Sequence, residues 1–141
     1  MQQLDQRIID FLQEHHVLTL ATCTDGVPWC ASVFYVYVPA GNLLVFTSEY
    51  HTRHAQEARQ NDRVAGAVVL ETKQVGLIRG VQFEGRMFEP LEELREKTKR
   101  AYLTRFPYAI LRLAPFWVIE LHAVKFTDNR LGFGKKLTWT I

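Results

Sequence analysis

Apolar positions recur along this chain with two different spacings, one typical of helices and one typical of strands. Near the N-terminus the apolar residues return every three or four positions, which predicts an amphipathic helix over residues 2–15. A second helix is predicted from about 52 to 61. A third is predicted over 91–107, "LEELREKTKRAYLTRFP", because Pro90 precedes the segment and Pro107 ends it.

Runs rich in β-branched and aromatic residues, separated by turn residues, predict the strands. Asp25-Gly26 joins the first two runs and indicates a β-hairpin. The predicted strands are "VLTLATCT", "PWCASVFYVYV", "NLLVFTS", "RVAGAVVLE", "VGLIRGVQFEGRMFEP" and "APFWVIELHAVKFTD", and the Gly-rich tail ends in a strand-like run. Six or seven strands with short connections predict a mainly β, α+β protein: one antiparallel barrel with flanking helices, in one domain over 1–141.

Composition and charge exclude several classes of protein. The 141 residues are 48% hydrophobic and 23% charged, and no run is long enough to span a bilayer. The N-terminus has no basic flank before an apolar core, so we expect no signal peptide and a cytoplasmic location. A net charge of +2 is too small to indicate nucleic-acid binding, and we expect no such partner. We expect Cys23 and Cys30 to be reduced thiols.

No self-sufficient catalytic motif is present. His51 and His54 are three residues apart, but no carboxylate or cysteine completes a ligand set at standard spacing, so we expect no metal site. The tail "NRLGFGKKLTW" mixes basic and aromatic residues, a pattern that also occurs in single-strand binders, but an ordinary final strand explains it better. If this protein is an enzyme, a cofactor carries the chemistry.

The start of the second predicted helix carries an unusual charge pattern. His51, Arg53 and His54 lie where the helix dipole disfavours cations, and the acid Glu57 comes later. A bound phosphate would explain this pattern, because a helix N-terminus offers backbone donors and Arg53 offers a bidentate fork. An exposed surface helix is the alternative, since such a mismatch costs only roughly 0.3–1 kcal/mol.

The same segment carries a family resemblance. The stretch "FTSEYHTRHAQEARQNDRVAG" is similar to the signature of the pyridoxamine 5'-phosphate oxidase-like, FMN-binding split-barrel proteins. The positions that match are Thr47, Thr52, Arg53, His54, Ala55, Asn61 and Val64. Nearly the whole chain resembles this family, and "IRGVQFEG", "RFP" and "KFTDNRLGFGKK" look closest to its uncharacterised bacterial YhbP-like group.

The resemblance implies a fold, a partner and a cofactor. The fold would be a six-stranded split barrel with Greek-key connections, and two chains would form a homodimer with FMN sites at the interface. The segment at the helix start would hold the FMN phosphate. The cofactor-binding residues it implies are Val33, Phe34, Thr47, Ser48, Thr52, Arg53, His54, Arg79 and Gln82.

The chain departs from the family pattern at several positions. His54 replaces a lysine, Asp62 a proline, Ala31 an arginine and Gly80 a glutamine, so pyridoxamine phosphate oxidation is not expected. Two functional hypotheses follow. The first is an FMN-dependent oxidoreductase of unassigned substrate, with no catalytic side chain that we can name. The second is a non-catalytic module that binds a flavin, haem or another phosphorylated ligand.

Overall fold

The structure, a computed structural model, describes residues 3–141 and contains three α-helices and eight strands within them. The helices are α1 (Gln6–Glu14), α2 (Arg53–Gln60) and α3 (Glu92–Arg105). The strands are β1 (Val17–Thr24), β2 (Val27–Phe34), β3 (Val36–Val38), β4 (Leu43–Thr47), β5 (Arg63–Val69), β6 (Arg79–Phe88), β7 (Phe116–Asp128) and β8 (Lys136–Thr140). The three predicted helices are present; residue 2, where the first was expected to begin, lies outside the described residues.

All strands belong to one curled antiparallel sheet, as an antiparallel barrel requires. The order is β2-β1-β5-β6-β7-β4-β3, and β8 also pairs with β7. β7 is 13 residues long and pairs with three strands. On one side its first half pairs with β4 and its second half pairs with β8. On its other side it pairs with β6. The predicted split-barrel class is confirmed.

The structure has eight strands where six or seven were predicted, because the run "PWCASVFYVYV" breaks at Tyr35 into β2 and β3 and the tail forms β8. The Tyr35 side chain is fully buried, and its hydroxyl donates to the carbonyl oxygen of Leu12 at 2.7 Å. Before the break, β2 pairs with β1; after it, β3 pairs with β4. One apolar run therefore forms two strands, β2 and β3, which lie at opposite ends of the strand order, and β2 is an edge strand.

The Asp25-Gly26 hairpin forms as predicted. Both residues have positive φ, 52° and 77°, the backbone that a tight two-residue turn needs. The turn fixes a register in which Thr22 lies opposite Trp29 and Cys23 lies opposite Pro28. Successive residues on each strand therefore face opposite sides of the hairpin.

The barrel interior is filled by apolar side chains from the strands and from the buried face of α1. The largest of these include Ile8, Phe11, Leu18, Leu20, Phe46, Ile119 and Phe126. Arg105 closes one end: its guanidinium donates to the carbonyl oxygens of Gln13, His15 and Tyr35. Among residues 3–141 none of the helices combines the length and the apolar composition that crossing a bilayer requires.

A β-bulge interrupts the pairing of β6 with β7. Glu84 lies opposite Ala123, but Gly85 lies opposite Leu121, so His122 has no partner on β6. A methyl group on Gly85 would lie 2.1 Å from the carbonyl oxygen of Glu120. Only a glycine allows this close approach of the two strands without a shift of backbone.

We therefore expect Gly85→Ala to lower the free energy of unfolding by ~1–3 kcal/mol, the range for overpacking. Gly76→Ala is the matched control, because no heavy atom lies within 4 Å of a methyl group placed there. Urea denaturation of both variants checks the expectation. Equal stability of the two variants would contradict the packing argument.

Candidate functional site

The start of α2 is built by Thr52. Its hydroxyl oxygen accepts a hydrogen bond from the backbone N–H of Ala55 at 3.3 Å, and its hydroxyl donates to the carbonyl oxygen of Glu49 at 2.9 Å. This capping fixes where the helix begins and leaves other first-turn N–H groups without partners within the helix. The first turn contains no acid.

Arg53, the first residue of α2, is held in one orientation from two sides. Its Nε donates to Glu57 Oε2 at 2.7 Å, and its guanidinium carbon lies 4.1 Å from the centre of the Trp29 ring. The other oxygen of Glu57 accepts the hydroxyl of Thr22 at 2.8 Å. The terminal guanidinium nitrogens of Arg53 have no hydrogen-bond partner among the described residues, so they remain available to a ligand.

The pair Arg53–Glu57 also changes the electrostatic argument made from the sequence. Hydrogen bonds from Arg53 and then from Thr22 lower the pKa of Glu57, so this carboxylate is ionised at neutral pH. The cation at the helix start is therefore neutralised in part within the chain. The charge pattern alone does not require an anion, and the case for one depends on the geometry around Arg53.

His54 lies behind the helix start and is 9% exposed. Its Nε2 lies 2.7 Å from the hydroxyl oxygen of Ser48, which is also buried, and 3.4 Å from that of Thr52. Burial lowers the pKa of His54, so the ring is neutral at pH 7. His54 therefore supplies a hydrogen-bond partner to this cluster and no second cation.

The structure brings together only some of the residues expected to bind a cofactor. Thr47 ends β4 and leads into Ser48, so the segment 47–54 forms one cluster around the start of α2. Val33 and Phe34 lie at the end of the edge strand β2, and Phe34 is 58% exposed.

Arg79 and Gln82 lie on opposite faces of β6. The Arg79 side chain contacts α1: its Nη1 lies 3.3 Å from Glu14 Oε2, and its guanidinium lies over the ring of Phe11. Gln82 is exposed on the outer face of the sheet. Neither residue joins the cluster at α2.

Sequence reasoning missed three residues that shape this site: Glu57 and Thr22 as supports of Arg53, and Trp29 as the surface beneath it. The i,i+4 spacing of Arg53 and Glu57 was a visible signal for the ion pair. The contacts with Thr22 and Trp29 depend on how the hairpin packs against α2, which no local pattern encodes.

Among residues 3–141 the structure shows neither a metal-binding cluster nor a disulfide. No three histidine, cysteine, aspartate or glutamate side chains lie close enough to hold a metal within residues 3–141. Cys23 and Cys30 are free thiols; Cys30 lies opposite Ala21, so the two cysteines are not directly across from each other in the hairpin.

The fold and the α2 segment together define the class of protein. The family model described as pyridoxamine 5'-phosphate oxidase matches residues 4–128, and the chain belongs to this family. Its relatives include the UPF0306 protein YhbP of Escherichia coli strain SMS-3-5 / SECEC, 43% identical over 129 residues, which cover 92% of this chain and 88% of that protein. The UPF0306 protein plu4501 of Photorhabdus laumondii is 41% identical over 135 residues, which cover 95% and 94%.

Solved structures with this fold bind different cofactors. The chain is similar to a haem-binding protein from Mycobacterium smegmatis, with a TM-score of 0.80 and 19% identity; the match covers 99% of this chain but only 60% of that protein. HutZ, the haem storage protein of Vibrio cholerae, matches with a TM-score of 0.66 and 21% identity, over 99% of this chain and 95% of HutZ. An FAD-binding protein from Mesorhizobium loti matches with a TM-score of 0.70 and 21% identity, over 89% of this chain and 95% of that protein. These likenesses show the fold alone.

The buried His54 predicts a pH dependence of stability. Its folded-state pKa lies below the value of 6.5 of a free histidine, so below pH 6.5 the unfolded state binds more protons. The contribution of His54 to the free energy of unfolding is therefore present in full above pH 6.5. It decreases as the pH falls below that value, by at most ~1.4 kcal/mol per pH unit.

Urea denaturation between pH 7.5 and 5 measures this contribution. We expect His54→Gln to flatten the pH dependence relative to wild type. His51→Gln, at an exposed position of the same segment, is the matched control. The interpretation of His54 fails if both variants retain the wild-type slope.

Proposed function

We propose that this protein binds FMN, with Arg53 as the main side-chain ligand of the phosphate, and that it acts as a flavin-dependent oxidoreductase. The observation that carries the proposal is the arrangement of Arg53: Glu57 holds Nε at 2.7 Å, and the guanidinium stacks 4.1 Å above Trp29. The planar fork is thereby oriented before any ligand binds, which lowers the entropy lost on binding.

The donors around Arg53 suit a phosphate group. The first turn of α2 supplies backbone N–H groups and the positive end of its dipole. Thr47 brings a hydroxyl group to the same segment, whereas the Thr52 hydroxyl already donates to Glu49 and serves as the helix cap. Ser48 can add a second hydroxyl donor when His54 carries its proton on Nε2. The ring then donates to the Ser48 oxygen and leaves the Ser48 hydroxyl hydrogen for the ligand.

We place the flavin ring against the exposed edge strand β2, near the backbone of Val33 and Phe34. When bound, the flavin would accept and release the electrons or hydride of the reaction, and the chain would orient the ring and exclude water. Gln82 faces the outer side of the sheet and is a candidate ring contact in an assembled dimer. Arg79 is engaged with Glu14 and Phe11, so we leave it outside the site.

A homodimer is part of the proposal, with the cofactor sites at the interface. β2 is exposed on both faces: Val27 is 53%, Trp29 43% and Phe34 58% exposed. An edge strand with large exposed apolar side chains favours a covering partner, and a second copy would also close the ring site. The proposed location is the cytoplasm, where both free cysteines would stay reduced.

The second candidate is a module that binds haem without catalysis. It is supported by two structural neighbours that carry haem binding or storage in their names. The absorbance spectrum of the purified protein separates the candidates. A flavin spectrum that bleaches with NADH or NADPH supports the oxidoreductase, and a Soret band supports the haem module.

The phosphate assignment predicts different responses of two ligands to one substitution. Arg53→Ala should weaken FMN binding by roughly 1.5–3 kcal/mol, the range for hydrogen bonds to charged groups. Riboflavin has no phosphate, so its affinity should hardly change. Paired fluorescence titrations of both ligands check this.

Arg59→Ala is the matched control, because Arg59 lies on the same helix and also forms an ion pair, with Glu89 at 2.8 Å. It should leave the affinity for FMN near the wild-type value. Equal weakening of FMN and riboflavin binding by Arg53→Ala, or no weakening of either, would overturn the assignment.

The proposed homodimer predicts that the wild-type protein sediments with twice the chain mass of 16.4 kDa. Sedimentation at the mass of one chain would contradict it.

A further inference from the structure

The β-bulge at His122 lies beside a cavity that the proposed cofactor site does not use. Bulges turn a side chain away from the regular pleat and often lie next to functional sites. The cavity has a volume of about 460 Å³, within the range of small-molecule sites. Its polar lining residues are Thr22, Cys23, Asn61, Arg63, Glu84 and His122.

This cavity adjoins the supports of Arg53 but is not lined by Arg53 itself. Thr22, whose hydroxyl donates to Glu57 Oε1 at 2.8 Å, and Asn61, the residue after α2, both line it. Arg53 and Trp29 are not among the described residues that line it. A ligand in the cavity can therefore be held by side chains other than those of the proposed phosphate site.

Arg63 has a charge environment that favours an anion. In the register of β5 with β6 it lies directly opposite Arg86, and like charges at such positions are destabilising. Arg86 has an acidic neighbour, Asp62, at 3.7 Å. Arg63 forms no ion pair with any side chain of the described part of the chain.

Glu84 adds a carboxylate on the same face. Ala65 lies opposite Glu84, so Arg63 and Glu84 occupy diagonal positions of neighbouring strands. Such positions lie ~7–8 Å apart, close enough for both long side chains to reach one small ligand. Within residues 3–141 no ion pair within 4 Å joins Glu84 to Arg63 or to another cation.

His122 completes the set. Its Nε2 lies 2.9 Å from Glu120 Oε1, and the two side chains are 34% and 39% exposed. The contact with Glu120 fixes the ring and engages one nitrogen, which leaves Nδ1 for a ligand. Gly85 makes this arrangement possible, because any larger residue would push β6 away from Glu120.

We propose that this cavity binds a free amino acid or a closely related small amino-carboxylate. The guanidinium of Arg63 donates to the ligand carboxylate, and the carboxylate of Glu84 accepts from the ligand ammonium. The imidazole of His122, oriented by Glu120, hydrogen-bonds to the ligand beside them. A guanidinium and a carboxylate without partners, on one wall of one cavity, match the two charges of such a zwitterion.

Calorimetric titration of the wild-type protein with each common amino acid in turn tests the proposal. We expect at least one to bind with a Kd below about 1 mM. Its methyl ester, which lacks the carboxylate charge, and its N-acetyl derivative, which lacks the ammonium, should each bind at least about tenfold more weakly, because each loses one charge-assisted hydrogen bond. Binding of none of the amino acids would overturn the proposal.

Two variants locate the site. Arg63→Gln should lose discrimination between the amino acid and its methyl ester, and Glu84→Gln should lose discrimination against the N-acetyl derivative. Arg100→Gln, an exposed arginine on α3, is the matched control and should bind as wild type does. In NMR spectra the imidazole signal of His122 should shift with saturation. Unchanged discrimination in both variants, or an unmoved His122 signal, would place the ligand elsewhere and overturn the assignment.

Discussion

The carboxylate of Glu57 joins two parts of the structure on which the proposed site depends, strand β1 and the start of α2. One oxygen accepts a hydrogen bond from the hydroxyl of Thr22 on β1, and the other accepts a hydrogen bond from Nε of Arg53 at the start of α2. One turn further along, Asn61 donates to the carbonyl oxygen of Cys23 at 3.0 Å. The same face of α2 is therefore bonded to the hairpin along its length, and this fixes the Arg53 guanidinium over Trp29.

The sheet supplies the other half of the geometry. The break at Tyr35 makes β2 an edge strand, because the chain leaves β1 and continues as β3 beside β4. The buried Tyr35 hydroxyl and the three carbonyl contacts of Arg105 hold this break in place. An edge strand next to a positioned guanidinium is a surface on which a flat, phosphorylated ligand can lie.

Local signals in the sequence were sufficient for most of the fold. The helices, the Asp25-Gly26 turn and the antiparallel class follow from periodicity and turn chemistry, and the family follows from the α2 segment. The break at Tyr35 was missed because the run on both sides of it has uniform β propensity; what ends β2 is a long-range hydrogen bond to α1.

The candidate site was predicted less completely for the same reason. Arg53, Thr52 and the segment before them could be chosen from the charge pattern, but their contacts could not. His54 was expected to assist Arg53 at the phosphate, but its contact with Ser48 and its burial, which keep the ring neutral, could not be predicted from the sequence. Arg79 was placed beside the ligand, whereas strand alternation turns it toward α1 and away from Gln82. Each of these outcomes depends on packing between elements distant in sequence.

The central claim is that Glu57 acts by positioning Arg53, and the affinity of Glu57→Ala for FMN tests it most directly. Simple charge counting predicts tighter binding, since the substitution removes an acid near a phosphate. The positioning account predicts weaker binding, by about threefold to tenfold, because Arg53 must then be ordered when FMN binds. Riboflavin binding should stay unchanged. An affinity for FMN equal to or higher than that of the wild type would contradict the account.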